Sequence, residues 1–423
     1  MSRLIPLALT LSCLGLPAVA QQGGPAVNRS VFATETIPSV TAVTQVFGRS
    51  QNVTAAIVEY NEPLAADQIE AGQFAVDGRT ILAARVTDRP EIDAPATDGR
   101  FVVLTLDPEE EAGVIFAPGV DNAPELIVQQ TAPVATAAGG TLDTPESGVI
   151  NTHLINLIVD EFRQFRFTDP ETGLLLDYNL FIPQDISGPL PLVLFMHDAG
   201  VTGTNPRRTL QQGLGAVAFA SAKDQARHPA FVLAPQYPVP LTNDASQTSD
   251  YVELTARLIE AIAADYPVDR DRIYATGQSG GCMTSIALNA AHPDLFGGTF
   301  CVAGQWDPAV VAPMAGVNFW GLVSEDDAKA FPGMTAIVEE LAANGATVTR
   351  GTLDAKATPE DMAAAVDAIR AEAADSNVVF TTFTPGSVLP EGGSDNPGAG
   401  HVNTWVYAYT IPGIRDWLFA QSR

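Results

Sequence analysis

The chain has 423 residues, 46% apolar and 17% charged, with 49 Asp and Glu against 22 Lys and Arg for a net charge of −27. Such a chain can bury a large core, so disorder is excluded as its main state, and its length suits two or three domains of ~100–200 residues. A surface this acidic, with lysine only at Lys223, Lys329 and Lys356, repels phosphate backbones and anionic lipids, which argues against nucleic-acid and membrane partners.

Residues 1–20 read as an export leader. Arg3 supplies a short basic start, an apolar stretch runs from Leu4 to about Leu16, and Ala18-Val19-Ala20 offers a small-x-small cleavage site before Gln21. Cys13 lies inside this leader, and Thr10 occupies the place where a lipoprotein signal wants an aliphatic residue. The expected location is therefore secreted or periplasmic. No apolar run of the ~18 residues needed for a membrane span follows the leader. Cys282 and Cys301 are the two cysteines of the mature chain. They are either a disulfide, as an exported chain favours, or two small buried thiols.

Two regions with different patterning follow, an all-β region over 21–155 and a strand-helix region over 156–423. In the first, short β-rich runs recur at Thr41–Phe47, Ala55–Tyr60, Phe74–Arg79, Thr80–Val86 and Phe101–Leu106. Asp77-Gly78 is a hairpin signal, and the whole suggests a β-sandwich. The acidic run Asp107–Glu111 reads as a solvated loop, and residues 132–148 as either a last strand or a linker. In the second, a hairpin over Phe162–Pro183 turns at Asp169–Gly173. Apolar strands are then expected at Leu192–Met196, Phe231–Ala234, Arg272–Thr276, Thr299–Ala303, Asn318–Val323 and Val378–Phe383. Helices are expected at Ser249–Tyr266, Pro332–Asn344 and Pro359–Ala374. This alternation implies a mostly parallel sheet covered by helices on both faces.

The strand Arg272–Thr276 runs into Gly277-Gln278-Ser279-Gly280-Gly281, and a helix-forming stretch follows from Cys282 to Ala291. This is G-x-S-x-G in its strand-turn-helix setting, which lifts a serine hydroxyl above the sheet. Ser279 is the expected nucleophile, and a serine needs a base. With the order serine, acid, histidine, two histidines remain: His292 closes the helix after the serine, and His401 sits in a glycine-rich stretch read as a late loop. His401 is the expected base. The acid should lie in Ser324-Glu325-Asp326-Asp327, after the strand Asn318–Val323, with Asp327 the first choice, Asp326 the second and Glu325 behind. For an oxyanion hole, one donor should be the Gly280 amide. The other should come from His197-Asp198-Ala199-Gly200, with Ala199 preferred over Asp198. His197 is then a loop-shaping residue. Trp306, just after the strand Thr299–Ala303, is either a lining residue of the acyl pocket or an ordinary packed indole.

These motifs resemble a known group. Ala56–Leu64 and Phe74–Arg79 in the first half carry the resemblance, with Leu176–Pro183, Met196–Gly200, Ala234–Pro238, Gly277–Gly281 and His401–Trp405 in the second. The chain is similar to secreted α/β-hydrolase esterases that have an N-terminal immunoglobulin-like domain, relatives of polyhydroxybutyrate-depolymerase-like and feruloyl-type esterases. The resemblance implies an immunoglobulin-like sandwich packed beside an α/β-hydrolase domain, with Ser279, His401 and Asp327 as the triad. In such enzymes the oxyanion loop usually reads His-Gly-x-Gly, and Asp198 replaces the first glycine here.

The leading reading is a serine carboxylic-ester hydrolase acting on small-molecule or polymeric esters with short acyl, aryl or polyester character. It calls for no metal and no organic cofactor. A serine peptidase of the same fold is the alternative within enzymes. A surface-binding protein whose hydrolase domain is degenerate is the alternative outside them.

Overall fold

The computed structural model describes residues 29–423, so the expected leader over 1–20 lies outside the described residues. Residues 30–156 form a two-sheet sandwich. One sheet orders Ser30–Val31, Gly148–Ile150, Ile127–Gln130 and Phe74–Val76; the other orders His153–Asn156, Ser39–Phe47, Ser50–Leu64, Gly99–Leu106 and Ile81–Thr87. Inward residues such as Val40, Ala42, Val58, Val102, Leu104 and Val128 close the space between them. The Asp77-Gly78 turn does not make the expected hairpin. Gly78 takes φ 66°, but Phe74–Val76 pairs with Ile127–Gln130 while Ile81–Thr87 pairs with Gly99–Leu106, so the chain switches sheets there. The acidic run is less solvated than expected, because Glu110 accepts at 2.9 Å from the buried Arg79 guanidinium. Residues 132–148 hold a short hairpin, Val134–Ala135 with Thr141–Leu142, before Gly148–Ile150.

The sandwich extends one residue past the expected boundary at 155, since Asn156 ends the strand His153–Asn156, which pairs in parallel with Ser39–Phe47. Buried amides tie the two regions together. Asn156 Oδ1 accepts from Thr44 and Gln51, and Gln211 of the second region donates to Gln51 Oε1 at 2.8 Å. Each polar group removed from water here has a partner, as burial requires.

The second region contains nine strands, β1 Arg163–Thr168, β2 Leu175–Phe181, β3 Leu190–Met196, β4 Phe231–Gln236, β5 Val268–Gln278, β6 Gly298–Val302, β7 Phe319–Ser324, β8 Val348–Leu353 and β9 Val378–Phe383. Their order is β1-β2-β4-β3-β5-β6-β7-β9-β8. β2 is antiparallel to both neighbours and the other pairings are parallel. Central strands β4, β6, β7 and β9 are buried at every residue, as a sheet covered on both faces demands. Helices α1 Leu214–Ala220, α6 Ala399–Ala408 and α7 Pro412–Phe419 cover one face. Helices α2 Asp250–Asp265, α3 Gly280–Ala291 and α4 Ala330–Ala343 cover the other, and α5 Pro359–Glu372 packs beside β8 and α7. This is an α/β-hydrolase sheet preceded by an immunoglobulin-like sandwich. Edge strand β8 was not anticipated: Val348-Thr349-Arg350-Gly351-Thr352-Leu353 has too few apolar residues to stand out from a loop.

Helix α2 shows how pattern becomes packing. Leu254, Leu258, Ile259 and Ile262 recur at helical spacing, and all four are buried. Each contributes about 1.5–3 kcal/mol on leaving water. The Asp169–Gly173 turn is anchored onto α2, where Arg257 donates from Nε and Nη2 to both Asp169 oxygens at 2.8 Å. Cys282 on α3 and Cys301 on β6 form a disulfide, their Cα atoms 4.8 Å apart. It fastens the helix after Ser279 to the neighbouring strand. With a sequence separation of 19 it should contribute about 3 kcal/mol. Urea unfolding of the Cys282→Ala/Cys301→Ala variant should show a loss of that order, and added reductant should then have no further effect. Wild type with reductant should fall toward the variant.

Candidate active site

The parallel strands deliver their C-terminal ends to one edge of the sheet, where ligands of open α/β sheets bind. Ser279 follows β5 at φ 52°, ψ −117°, an unfavourable conformation for a residue with a side chain. Its amide donates to Val302 O at 2.9 Å, and its carbonyl accepts the first turn of α3 from Met283 N at 3.0 Å. The flanking glycines serve close approach. A Cβ at Gly281 would overlap the Met196 carbonyl oxygen, and one at Gly277 would lie 2.6 Å from Gly281 C. Strand, turn and helix therefore pack together only with no side chain at 277 or 281.

His401 lies on α6, in its first turn, and not in the expected loop. Gly398-Ala399-Gly400 looked like loop composition, but Gly400 answers a different need. A Cβ there would meet Asp326 O at 2.5 Å, so the glycine lets α6 press against the loop after β7. Trp405, one turn on, packs edge-on against the imidazole with centroids 5.2 Å apart.

The three acids after β7 separate by their partners. Glu325 accepts from Thr382 Oγ1, and Asp326 accepts from Gly386 N at 2.7 Å. Asp327 is buried, accepts from Lys329 N and Ala330 N with Oδ1, and leaves Oδ2 for His401 Nδ1–H at 2.5 Å. An ionised carboxylate only accepts, so the proton sits on Nδ1 and His401 Nε2 is free to accept from Ser279 Oγ–H at 2.9 Å. Burial pushes the Asp327 carboxyl up. The hydrogen bond from His401, the attraction that an imidazolium there would add, and the two backbone amides outweigh that and hold it below its ordinary value of 3.8.

On the facing side, the loop after β3 carries Asp198 and Ala199. A Cβ built on Gly280 would sit 3.5 Å from Ala199 N, so the two residues expected to supply the oxyanion donors are close neighbours. Asp198 takes φ −72°, so no glycine is needed where the resembling enzymes have one. Its carboxylate instead braces the loop, accepting from Gly200 N at 2.6 Å and from Gln278 Nε2, next to the serine, at 3.0 Å. His197 is buried and donates Nδ1–H to Asp198 O at 2.7 Å while Nε2 accepts from Tyr237 N at 3.0 Å. Burial keeps it neutral, with Asp198 partly opposing.

One expectation is corrected. Trp306 does not line the cleft; its indole is buried in the cluster of Met283, Val311, Met314 and Met334, and its neighbour Gln305 reaches the cavity wall. The apolar contacts available under α4 outweigh exposure of so large a ring.

Ser279 and His401 open onto a cavity of about 650 Å³. Much of its wall comes from the sandwich: Arg49, Phe116, Val120 and Asp121. Arg208 pairs with Asp121 and lies over the Phe116 ring at 4.5 Å, which holds that wall to the hydrolase domain. No motif in the sequence pointed to these residues, because they meet Ser279 only through the docking of the two domains. A second cavity of about 510 Å³ continues past Gly280 to Thr242, Met283 and Lys329. Together the groups place the Ser279 hydroxyl on an imidazole held by a buried carboxylate, with Gly280 and Ala199 close beside one another. No group of three or more His, Cys, Asp or Glu arranged for a metal occurs among the described residues.

Comparison with known proteins agrees with this architecture. Residues 39–143 match the family described as "Esterase Ig-like N-terminal domain", and residues 219–377 match "Putative esterase". A protein of Nocardia uniformis subsp. tsuyamanensis named "Putative esterase NocK" is 28% identical over 177 residues, 40% of this chain; the match spans half the length of that relative. The crystal structure of a thermostable esterase is 25% identical, with a TM-score of 0.77 over 91% of this chain and 100% of that one. The chain thus has an α/β-hydrolase domain preceded by an immunoglobulin-like domain, and over these segments it resembles esterases.

Proposed function

We propose that the chain is an exported carboxylic-ester hydrolase with Ser279 as nucleophile, His401 as general base and Asp327 as its orienting acid. The observation that carries this is the unbroken relay from Ser279 Oγ through His401 to buried Asp327, at 2.9 and 2.5 Å, opening onto a cavity. Ser279 Oγ attacks the ester carbonyl carbon while His401 Nε2 takes the hydroxyl proton. The carbonyl oxygen gains the negative charge and sits against the Gly280 and Ala199 amides, near the N-terminus of α3. The intermediate collapses, the C–O bond to the alcohol breaks, and His401 returns the proton to the departing oxygen. Water then attacks the acyl carbon while His401 takes its proton, the bond from that carbon to Ser279 Oγ breaks, His401 returns the proton to Oγ, and the carboxylic acid leaves. Asp327 holds the imidazole in the required tautomer and stabilises the imidazolium. The cavity suits short acyl or aryl esters, or the end of a polyester. Export is supported by the leader sequence and by the Cys282–Cys301 disulfide, and the N-terminal sequence of protein recovered outside the cytoplasm tests it.

Purified protein should hydrolyse a para-nitrophenyl ester series from acetate upward, and Ser279→Ala should abolish turnover. Failure on every ester by folded protein, or cleavage of peptide anilides in preference, would overturn the proposal. The relay also separates the adjacent acids. Asp327→Asn should lower kcat by about 10³–10⁴-fold through loss of the correct tautomer. Asp326→Asn, which leaves the relay in place, should cost far less. Equal losses would mean that the acid is misassigned.

A further inference from the structure

Arg49 lies at the tip of the sandwich hairpin that joins Ser39–Phe47 to Ser50–Leu64, and it lines the cavity shared by Ser279 and His401. The tip is wedged in place. Gly48, at φ 30°, packs against Val406 of α6, where a Cβ would stand 3.1 Å from Val406 Cγ1. Its carbonyl oxygen also fills the space that a Cβ on Gly213 would need. The helix that carries His401 thus fixes where the sandwich delivers its arginine.

A guanidinium has five N–H donors and normally spends them on carboxylates or carbonyls. Arg49 is half-buried, yet among the described residues it makes no ion pair and no protein hydrogen bond. The carboxylate that acts on its charge is Asp198, whose oxygens already serve Gly200 N and Gln278 Nε2. The other cation of this cavity wall, Arg208, is taken by Asp121. A partly desolvated cation without a partner is unfavourable unless something completes it. The net charge of −27 opposes an incoming anion at long range, but screening confines that repulsion to about 8–10 Å. Inside the cleft, Asp198 has its oxygens turned to Gly200 N and Gln278 Nε2, while the Arg49 guanidinium has no protein acceptor among the described residues.

We propose that Arg49 is a specificity residue that binds a free carboxylate on the substrate, so the preferred substrates are monoesters that also carry a carboxylic acid. This rests on the ester-hydrolase reading above. A planar carboxylate matches the guanidinium fork and can be bound by two parallel N–H···O bonds. The neighbouring Phe116 and Val120 would cover the apolar chain between carboxylate and ester. The sandwich then selects substrate, while the hydrolase domain carries the chemistry.

The test uses two matched substrate pairs. Para-nitrophenyl hemiglutarate against para-nitrophenyl valerate places the carboxylate on the acyl side. Para-carboxyphenyl butyrate against its carboxamide counterpart places it on the alcohol side. In wild type, kcat/KM should favour the carboxylate member of one pair by about tenfold or more. Arg49→Gln should erase that preference and Arg49→Lys should keep part of it, with near-ultraviolet circular dichroism confirming the fold. A preference absent from both pairs, or one that survives Arg49→Gln, overturns the proposal. Calorimetric titration of Ser279→Ala protein with glutarate and para-hydroxybenzoate separates this from the hydrolase reading. Binding of either that disappears on adding Arg49→Gln supports the carboxylate site even if no ester is turned over. Absence of binding together with absence of turnover counts against both.

Discussion

The site depends on a backbone constraint at Ser279. A serine held at φ 52° between a strand and a helix costs of order 1–3 kcal/mol, and the packing around it sustains that conformation. β5 is paired on both sides by β3 and β6, and α3 is fastened to β6 by the Cys282–Cys301 bond. Gly277 and Gly281 let the helix and the end of β3 close on the turn. From that one position the rest follows: the hydroxyl meets His401 Nε2, and Gly280 at the start of α3 lies beside Ala199.

The relay is assembled from segments far apart in the chain, so its distances depend on how those segments pack. Asp327 takes its place because Oδ1 caps the start of α4, which frees Oδ2 for His401. His401 takes its place because Gly400 allows α6 to touch Asp326 O and because Gly48 of the sandwich backs the same helix. The sandwich is thus more than an appendage. It contributes to the position of the proposed base and supplies much of the wall beside the proposed nucleophile.

Much of this was legible in the sequence, for physical reasons that differ between residues. Ser279 was visible because its turn needs glycines at fixed offsets and a strand and helix on either side. Asp327 stood first among three neighbouring acids, but the sequence alone does not separate them, since what does is which carboxylate meets a helix start and which meets Thr382 or Gly386. His401 was found by order along the chain, yet its helix was hidden because Gly398 and Gly400 resemble loop residues and only tertiary contact explains Gly400. Trp306 was open between lining and packing, and its contacts with Met283, Met314 and Met334 decide for packing. Arg49 left no trace at all, because nothing local distinguishes a hairpin-tip arginine from one that docking places beside Ser279. The Asp77-Gly78 signal marked a real turn, but local propensity cannot say whether the next strand returns to the same sheet or crosses to the other.

The central claim is that the Ser279 hydroxyl, and no other serine, is activated by the His401–Asp327 pair. Labelling the purified native protein with a fluorophosphonate, followed by digestion and mass spectrometry of the modified peptide, tests it without assuming a substrate. The account predicts a single adduct on Ser279 that heat-denatured protein does not form. An unlabelled native protein, or an adduct on a different serine, would contradict it.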